Sequence, residues 1–149
     1  MKVKNVMSTK VIIVKPHYNM RKAAKILYAN KISGAPVVND AGKIVGILSE
    51  KDVFRALHPS YKEYVQNHDY LDDFEEMEKR AKNLDKKLVK NYMNRDILIV
   101  EEDTPIMKAG ALMLANGFNR IPVVRDKKLV GLISRREIYH NILKKQLDL

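Results

Sequence analysis

At 149 residues the chain is long enough for one ordinary domain or two tightly packed half-domains, and its 46% apolar and 31% charged content is that of a globular protein. It contains no cysteine, which excludes disulfides, thiolate metal sites and cysteine nucleophiles together. The net charge of +10 favours anionic partners, yet Lys and Arg are spread along the whole chain, with only doublets such as Lys127-Lys128 and Arg135-Arg136 standing out. Apolar runs such as Val11 to Val14 are far too short to span a bilayer, and the first residues lack the apolar stretch of a signal peptide, so a cytoplasmic location is expected.

In chain order, the β-branched run Val11-Ile12-Ile13-Val14 predicts a strand. Asn19 then caps a helix whose buried stripe is Met20, Ala23, Ala24 and Leu27. Two strands, Ala35 to Val38 and Ile44 to Leu48, pair around the turn Asn39-Asp40-Ala41-Gly42-Lys43, and a further helix starts at Ser49. Residues 58–88 are an insertion. Ser60 and Glu63 have capping-box spacing, and Tyr70, Phe74, Met77, Ala81, Leu84 and Leu88 form one helical stripe. Acidic residues gather early in it and basic ones late, which suits a helix dipole. The expected role is a connecting helix laid on the body of the protein or against a second copy; a metal site using His68 and nearby carboxylates is the alternative.

After the insertion the pattern returns. Val3-Lys4-Asn5-Val6-Met7 reappears as Val89-Lys90-Asn91-Tyr92-Met93, and Ala35-Pro36-Val37-Val38 as Ile121-Pro122-Val123-Val124, both displaced by 86 positions. Gly46-Ile47-Leu48-Ser49 reappears as Gly131-Leu132-Ile133-Ser134, displaced by 85, so one residue is lost in the intervening turn, where length changes are tolerated. The second copy predicts a strand over Ile97 to Val100 and a helix capped by Thr104 with Pro105 at its first position. That helix has a stripe of Ile106, Ala109, Met113 and Ala115. Strands over Ile121 to Val124 and Leu129 to Ile133 follow, and then a helix from Ser134. Each half is β-α-β-β-α, an α/β (α+β) unit too small to bury both faces of its sheet alone, so the halves are expected to pack as a pseudo-two-fold pair.

These landmarks resemble the CBS domain, a repeat that occurs in pairs known as Bateman modules. The marks are the small-apolar-Pro-Val-Val segment, the Gly-apolar-apolar-Ser strand end and an acidic residue three positions after that serine, all present twice. The resemblance divides the chain into repeat 1 over 1–57, the inserted linker over 58–88 and repeat 2 over 89–149.

Catalysis finds little support. His17, His58, His68 and His140 have no metal-ligand spacing, no glycine-rich phosphate loop exists, and the serines lack a nucleophile-elbow context. Ser49-Glu50-Lys51-Asp52 and Ser134-Arg135-Arg136-Glu137 are the informative pair: each sets a hydroxyl at a strand end and a carboxylate one helical turn later. That spacing is a capping box, and a helix N-terminus also suits an anion. The resemblance implies more. It gives the serine to a phosphate, the carboxylate to the two ribose hydroxyls, and the base to the first strand and pre-proline segment of the other repeat. One cleft would then join Ser49 and Asp52 to Leu98, Phe118, Asn119 and Arg120. The other would join Ser134 and Glu137 to Ile12, Ile32, Ser33, Gly34 and Ala35. Arg120 and Arg136 match positions where one member of the family has basic phosphate contacts. Glu137 departs from the family's aspartate by one methylene, which puts its ribose contact in question.

The resulting expectation is a regulatory, non-enzymatic module, without cofactor, metal or membrane partner. Its ligand would be an adenine nucleotide (AMP, ADP or ATP) or an adenosyl compound such as S-adenosylmethionine. It is expected to form a homodimer and to signal to an effector protein. The rivals are an interaction module with empty clefts and a nucleic-acid binder relying on general basic charge.

Overall fold

The computed structural model describes residues 1–58, 78 and 81–149. The described α-helices are α1 (Met20–Ala29), α2 (Glu50–Leu57), α3 (Ile106–Asn116) and α4 (Arg135–Gln146). The strands are β1 (Gly34–Val38), β2 (Ile44–Ser49), β3 (Val100–Glu101), β4 (Arg120–Arg125) and β5 (Lys128–Ser134), in an α+β arrangement of two small sheets ordered β1-β2 and β3-β4-β5. Short 3-10 turns cover Val3–Asn5, Ala81–Lys86 and Val89–Asn91. Chain contacts divide the molecule into two compact units. Unit 1 comprises Met1–Val11, Asp40–Ile44 and Asp96–Leu149, and unit 2 comprises Ile12–Asn39 and Val45–Arg95.

Each unit has its own apolar core. In unit 1, Val3, Val100, Ile106, Ala109, Met113, Ile121, Val123, Ile133 and Ile138 cluster. In unit 2 the cluster is Val14, Met20, Ala23, Leu27, Ala35, Val37, Leu48, Ala56, Val89 and Met93. Packing units and sequence repeats therefore differ: the hairpin turn Asp40–Ile44 of the first repeat falls in unit 1, and the lead segment of each repeat is built into the other repeat's core. Val3 belongs with α3, β4 and β5, while Val89 and Met93 belong with α1, β1 and β2.

The two docks use the same bonds. Val3 N donates to Thr104 O at 2.8 Å and Lys4 N to Glu102 O at 2.9 Å; in unit 2, Val89 N donates to Tyr18 O at 2.9 Å and Lys90 N to Pro16 O at 3.0 Å. Each lead segment then pairs with the second hairpin strand. Ser8 and Leu132 exchange two bonds of 2.9 Å, as do Ile47 and Asn94. Glycine makes this approach sterically possible. A Cβ on Gly46 would lie 2.8 Å from Met93 Sδ and 2.9 Å from Asn94 O, and one on Gly131 would lie 2.5 Å from Met7 Sδ and 2.9 Å from Ser8 O. The repeated Met and the repeated Gly are thus two sides of one contact. In unit 1, Lys4 Nζ and Lys2 Nζ reach Asp103 Oδ1 at 2.8 and 3.3 Å. The Lys4 hydrogen bond, then that of Lys2, holds the Asp103 carboxyl below its usual range.

The expected elements differ from the observed ones in several places. The strand foreseen over Val11 to Val14 shrinks to its buried end residue, and the one foreseen over Ile97 to Val100 is the two-residue β3, Val100–Glu101. Val14 makes a single parallel bridge to Val37, and β3 pairs Val100 with Val123. Ile12 and Ile99, which point away from the cores, are each 40% exposed. Asn19 caps α1 as expected, accepting from Lys22 N at 2.8 Å. Thr104 does not cap α3: the helix begins at Ile106 with Pro105 before it, and Ile106 N donates to Met1 O at 3.1 Å, so the docked lead segment supplies the acceptor. Ala115 is exposed, because it falls two residues after Met113 and so off the stripe of Ile106, Ala109 and Met113. In the insertion, Ser60, Glu63, His68, Tyr70, Phe74 and Met77 lie outside the described residues. Its described end is a 3-10 turn, with Leu84 packed against the unit 2 core and Leu88 bridged to Asn19. The deletion in the second hairpin leaves a two-residue turn in which Asp126 and Lys127 both have positive φ, where the first hairpin uses Gly42.

Candidate functional site

Strand β2 of unit 2 ends at Ser49, and α2 starts at once. Ser49 N and Oγ both donate to Asp52 Oδ2, at 2.8 and 3.0 Å, and Asp52 N returns a bond to Ser49 Oγ at 3.4 Å. This is the capping box that the spacing predicts. Glu50 N donates to Ser33 O at 2.8 Å, which sets the pre-proline segment beside the helix start. Ser33 is exposed, Gly34 half-buried and Ala35 buried. Gly34 is closely fitted, since a Cβ there would meet Leu48 O at 3.0 Å. Ile32 packs on the unit 2 core, and Ile12 is exposed.

Unit 1 builds the same arrangement. Ser134 N and Oγ donate to Glu137 Oε2 at 2.7 and 3.0 Å, Glu137 N donates to Ser134 Oγ at 3.2 Å, and Arg135 N donates to Asn119 O at 2.8 Å. The longer glutamate places its oxygen on the same backbone donor as the aspartate does, so the extra methylene is absorbed within the side chain. Arg120 opens β4 opposite Ser134 and is exposed, as are Asn119, Arg135 and Arg136. Phe118 follows the left-handed Gly117 cap and is 40% exposed, while Leu98 packs at the edge of the unit 1 core.

The structure therefore brings the proposed residues together in two sets. Ser49, Asp52, Ile12, Ile32, Ser33, Gly34 and Ala35 lie in unit 2, and Ser134, Arg136, Glu137, Leu98, Phe118, Asn119 and Arg120 lie in unit 1. One neighbour escaped the sequence reading: Arg55 Nη2 lies 3.5 Å from Asp52 Oδ1 and donates to Tyr92 O at 2.8 Å. Its spacing three residues after Asp52 was the available signal. The equivalent residue of the second repeat is His140, whose ring meets that of Tyr139 edge-on. A separate hollow of about 470 Å³ in unit 2 is walled by Ala24, Leu27, Tyr28, Phe54 and Leu57, with neither Ser49 nor Asp52 in its lining. Arg21, Lys25 and Glu50 also line it. Among the described residues no group of three or more His, Asp or Glu is arranged to hold a metal, and no helix is long and apolar enough to cross a membrane.

Comparison with known proteins agrees with this duplicated plan. The family model of the CBS domain matches residues 3–59 and again 89–144. The chain is 30% identical to the uncharacterised protein MJ1426 of Methanocaldococcus jannaschii, over 96% of this chain and 92% of that one. The first curated relatives that it matches are covered to very different extents, from 39% to 92% of their own length. The crystal structure of the CBS-pair protein CBSX2 of Arabidopsis thaliana superposes with a TM-score of 0.77 at 27% identity, covering 99% of this chain and 98% of that one. The same protein has been crystallised in complex with AMP (TM-score 0.72, 28% identity, 97% and 98% covered). The CBS domain pair of MJ0100 has been crystallised with 5′-methylthioadenosine and S-adenosyl-L-methionine (TM-score 0.69, 26% identity, 97% and 98% covered). With both repeats matched along their length and the Gly-apolar-apolar-Ser strand end closing each hairpin onto a capping box, this chain belongs to the CBS-domain family, of which it carries two copies.

Proposed function

We propose that the chain is a regulatory module that binds an adenine nucleotide or adenosyl compound, with Asp52 and Glu137 receiving ribose hydroxyls and Ser49 and Ser134 marking the phosphate end. The observation that carries this reading is the duplicated capping box. In each, a single carboxylate oxygen satisfies the serine donors, and the other oxygen remains for a ligand's hydroxyl. The exposed Arg120 and Arg136 suit a phosphate. The AMP complex of CBSX2 and the methylthioadenosine complex of MJ0100 support the adenosyl class. No catalytic step is assigned to either half-site; the output is a change read by an effector protein.

The test is thermal unfolding with AMP, ADP, ATP and S-adenosylmethionine. A ligand at a hundred times its Kd stabilises the fold by about 2.7 kcal/mol, which for a chain of this size raises Tm by about 2–4 °C per kcal/mol. A flat response to all four compounds at millimolar concentration overturns the reading.

The same module is proposed to act as a homodimer. Both repeats expose large apolar residues at equivalent helix positions: Tyr28 and Leu114 are 89% and 80% exposed, and Phe54 and Tyr139 are 64% and 60% exposed. Isolated exposed apolar residues are ordinary, but the same pair in both copies points to a covered patch on each unit. Sedimentation of the parent chain as a dimer, reduced to a monomer by Tyr28→Ser with Leu114→Ser, is the expected result.

A further inference from the structure

We infer that Arg55 is a positioning residue of the Asp52 half-site: it holds the carboxylate oxygen that the capping box leaves over and ties it to the segment around Tyr92. This rests on the adenosyl reading, because the oxygen concerned is the one assigned to a ribose. Oδ2 of Asp52 is occupied by both Ser49 donors, at 2.8 and 3.0 Å. Oδ1 is left, and Arg55 Nη2 stands 3.5 Å from it. An exposed arginine is ordinarily free to swing, and the Arg55 side chain is 63% exposed. Here the guanidinium is anchored on its far side, by the bond of 2.8 Å to Tyr92 O and by the Tyr92 ring, 5.7 Å away at its centroid. The anchor is backbone, so it survives changes in the neighbouring side chains. Arg55 thus limits rotation of the carboxylate about Cβ–Cγ and presents Oδ1 in one direction. The second repeat lacks the device. His140 occupies the equivalent position, and among the described residues Glu137 makes no salt bridge.

An ion pair of this exposure contributes modestly, so replacing Arg55 changes affinity by about two- to fivefold rather than by orders of magnitude. The test is isothermal titration of AMP and of 2′,3′-dideoxy-AMP into the parent chain, Arg55→Gln and Arg55→Lys. Arg55→Gln is expected to weaken AMP by that factor in one class of site and to leave the dideoxy compound unchanged, since it has no hydroxyl for Oδ1. Arg55→Lys, which keeps the charge but not the two-sided fork, falls between. Equal losses for both nucleotides, or no loss for either, would overturn the inference and reduce Arg55 to a prop for Tyr92. If the parent binds S-adenosylmethionine but not AMP, the adenosyl reading stands and the same variants are titrated with S-adenosylmethionine, where an unchanged affinity for Arg55→Gln overturns the inference. If it binds neither, both fall.

Discussion

The two repeats agree where backbone meets backbone and diverge where side chains face solvent. The agreement extends to single bonds: the lead segments enter through Val3 and Val89, the glycines at 46 and 131 admit a methionine and a carbonyl, and Ser49 and Ser134 close equivalent caps. The divergence lies beside those caps. Ser33-Gly34 in one copy stands where Asn119-Arg120 stands in the other, and Arg55 where His140 stands. A duplicated skeleton is constrained because each lead segment completes the partner repeat's core, so a change in one dock unsettles a whole unit. The residues around the caps carry no such burden and are free to become two different sites.

The equivalence of the two docks is tested by disturbing them one at a time. Gly46→Ala and Gly131→Ala each force a Cβ to within 2.9 Å of a backbone carbonyl, Asn94 O or Ser8 O, from which only backbone movement gives relief. The methionine thioethers can yield; the carbonyls cannot. Each substitution should therefore cost about 1–3 kcal/mol, the usual penalty of overpacking, read as a fall in denaturant midpoint. Equal losses support equivalent docks. If one alanine is tolerated within about 0.5 kcal/mol, the two docks are mechanically unequal.

Most of this architecture was legible in the sequence because it is written in period and repetition. The stripe Met20, Ala23, Leu27, the cap at Asn19 and both capping boxes depend on local spacing, and each formed as read. What was illegible depends on partners distant in the chain. Thr104-Pro105 has every local mark of a helix start, but the acceptor for Ile106 N comes from Met1 O, which no local rule finds. The run Val11 to Val14 has strand composition throughout, yet only the residue facing the core, Val14, pairs. The exchange of lead segments is of the same kind: the sequence shows that Val3 and Val89 are equivalent, not which core each enters. At the candidate site, the serine–carboxylate pairs were readable from spacing, whereas Arg55 acquires its place from Tyr92, 37 residues away.

Asp52→Ala and Glu137→Ala test the divergence of the two caps, with a smaller effect on the fold. Both carboxylates do the same structural work, each accepting from its serine N–H and hydroxyl through one oxygen. Loss of either should thus lower stability by a similar amount, about 1 kcal/mol, as for other cap residues. Ligand binding should separate them. Asp52 keeps the family's carboxylate length, its side chain is only 14% exposed, and its remaining oxygen is held by Arg55. Glu137 spends its extra methylene on reaching the cap and, among the described residues, makes no salt bridge. A carboxylate that accepts two ribose hydroxyls contributes about 1.5–3 kcal/mol per bond, so Asp52→Ala should weaken nucleotide binding at least about tenfold, and Glu137→Ala much less. Unfolding of both variants without ligand, beside calorimetric titration with AMP, reads the two quantities independently. Equal stabilities with unequal affinities is the expected pattern. A larger affinity loss at Glu137 would mean that the ligand prefers the half-site carrying Arg136, and that phosphate charge there outweighs a well-held ribose contact at Asp52.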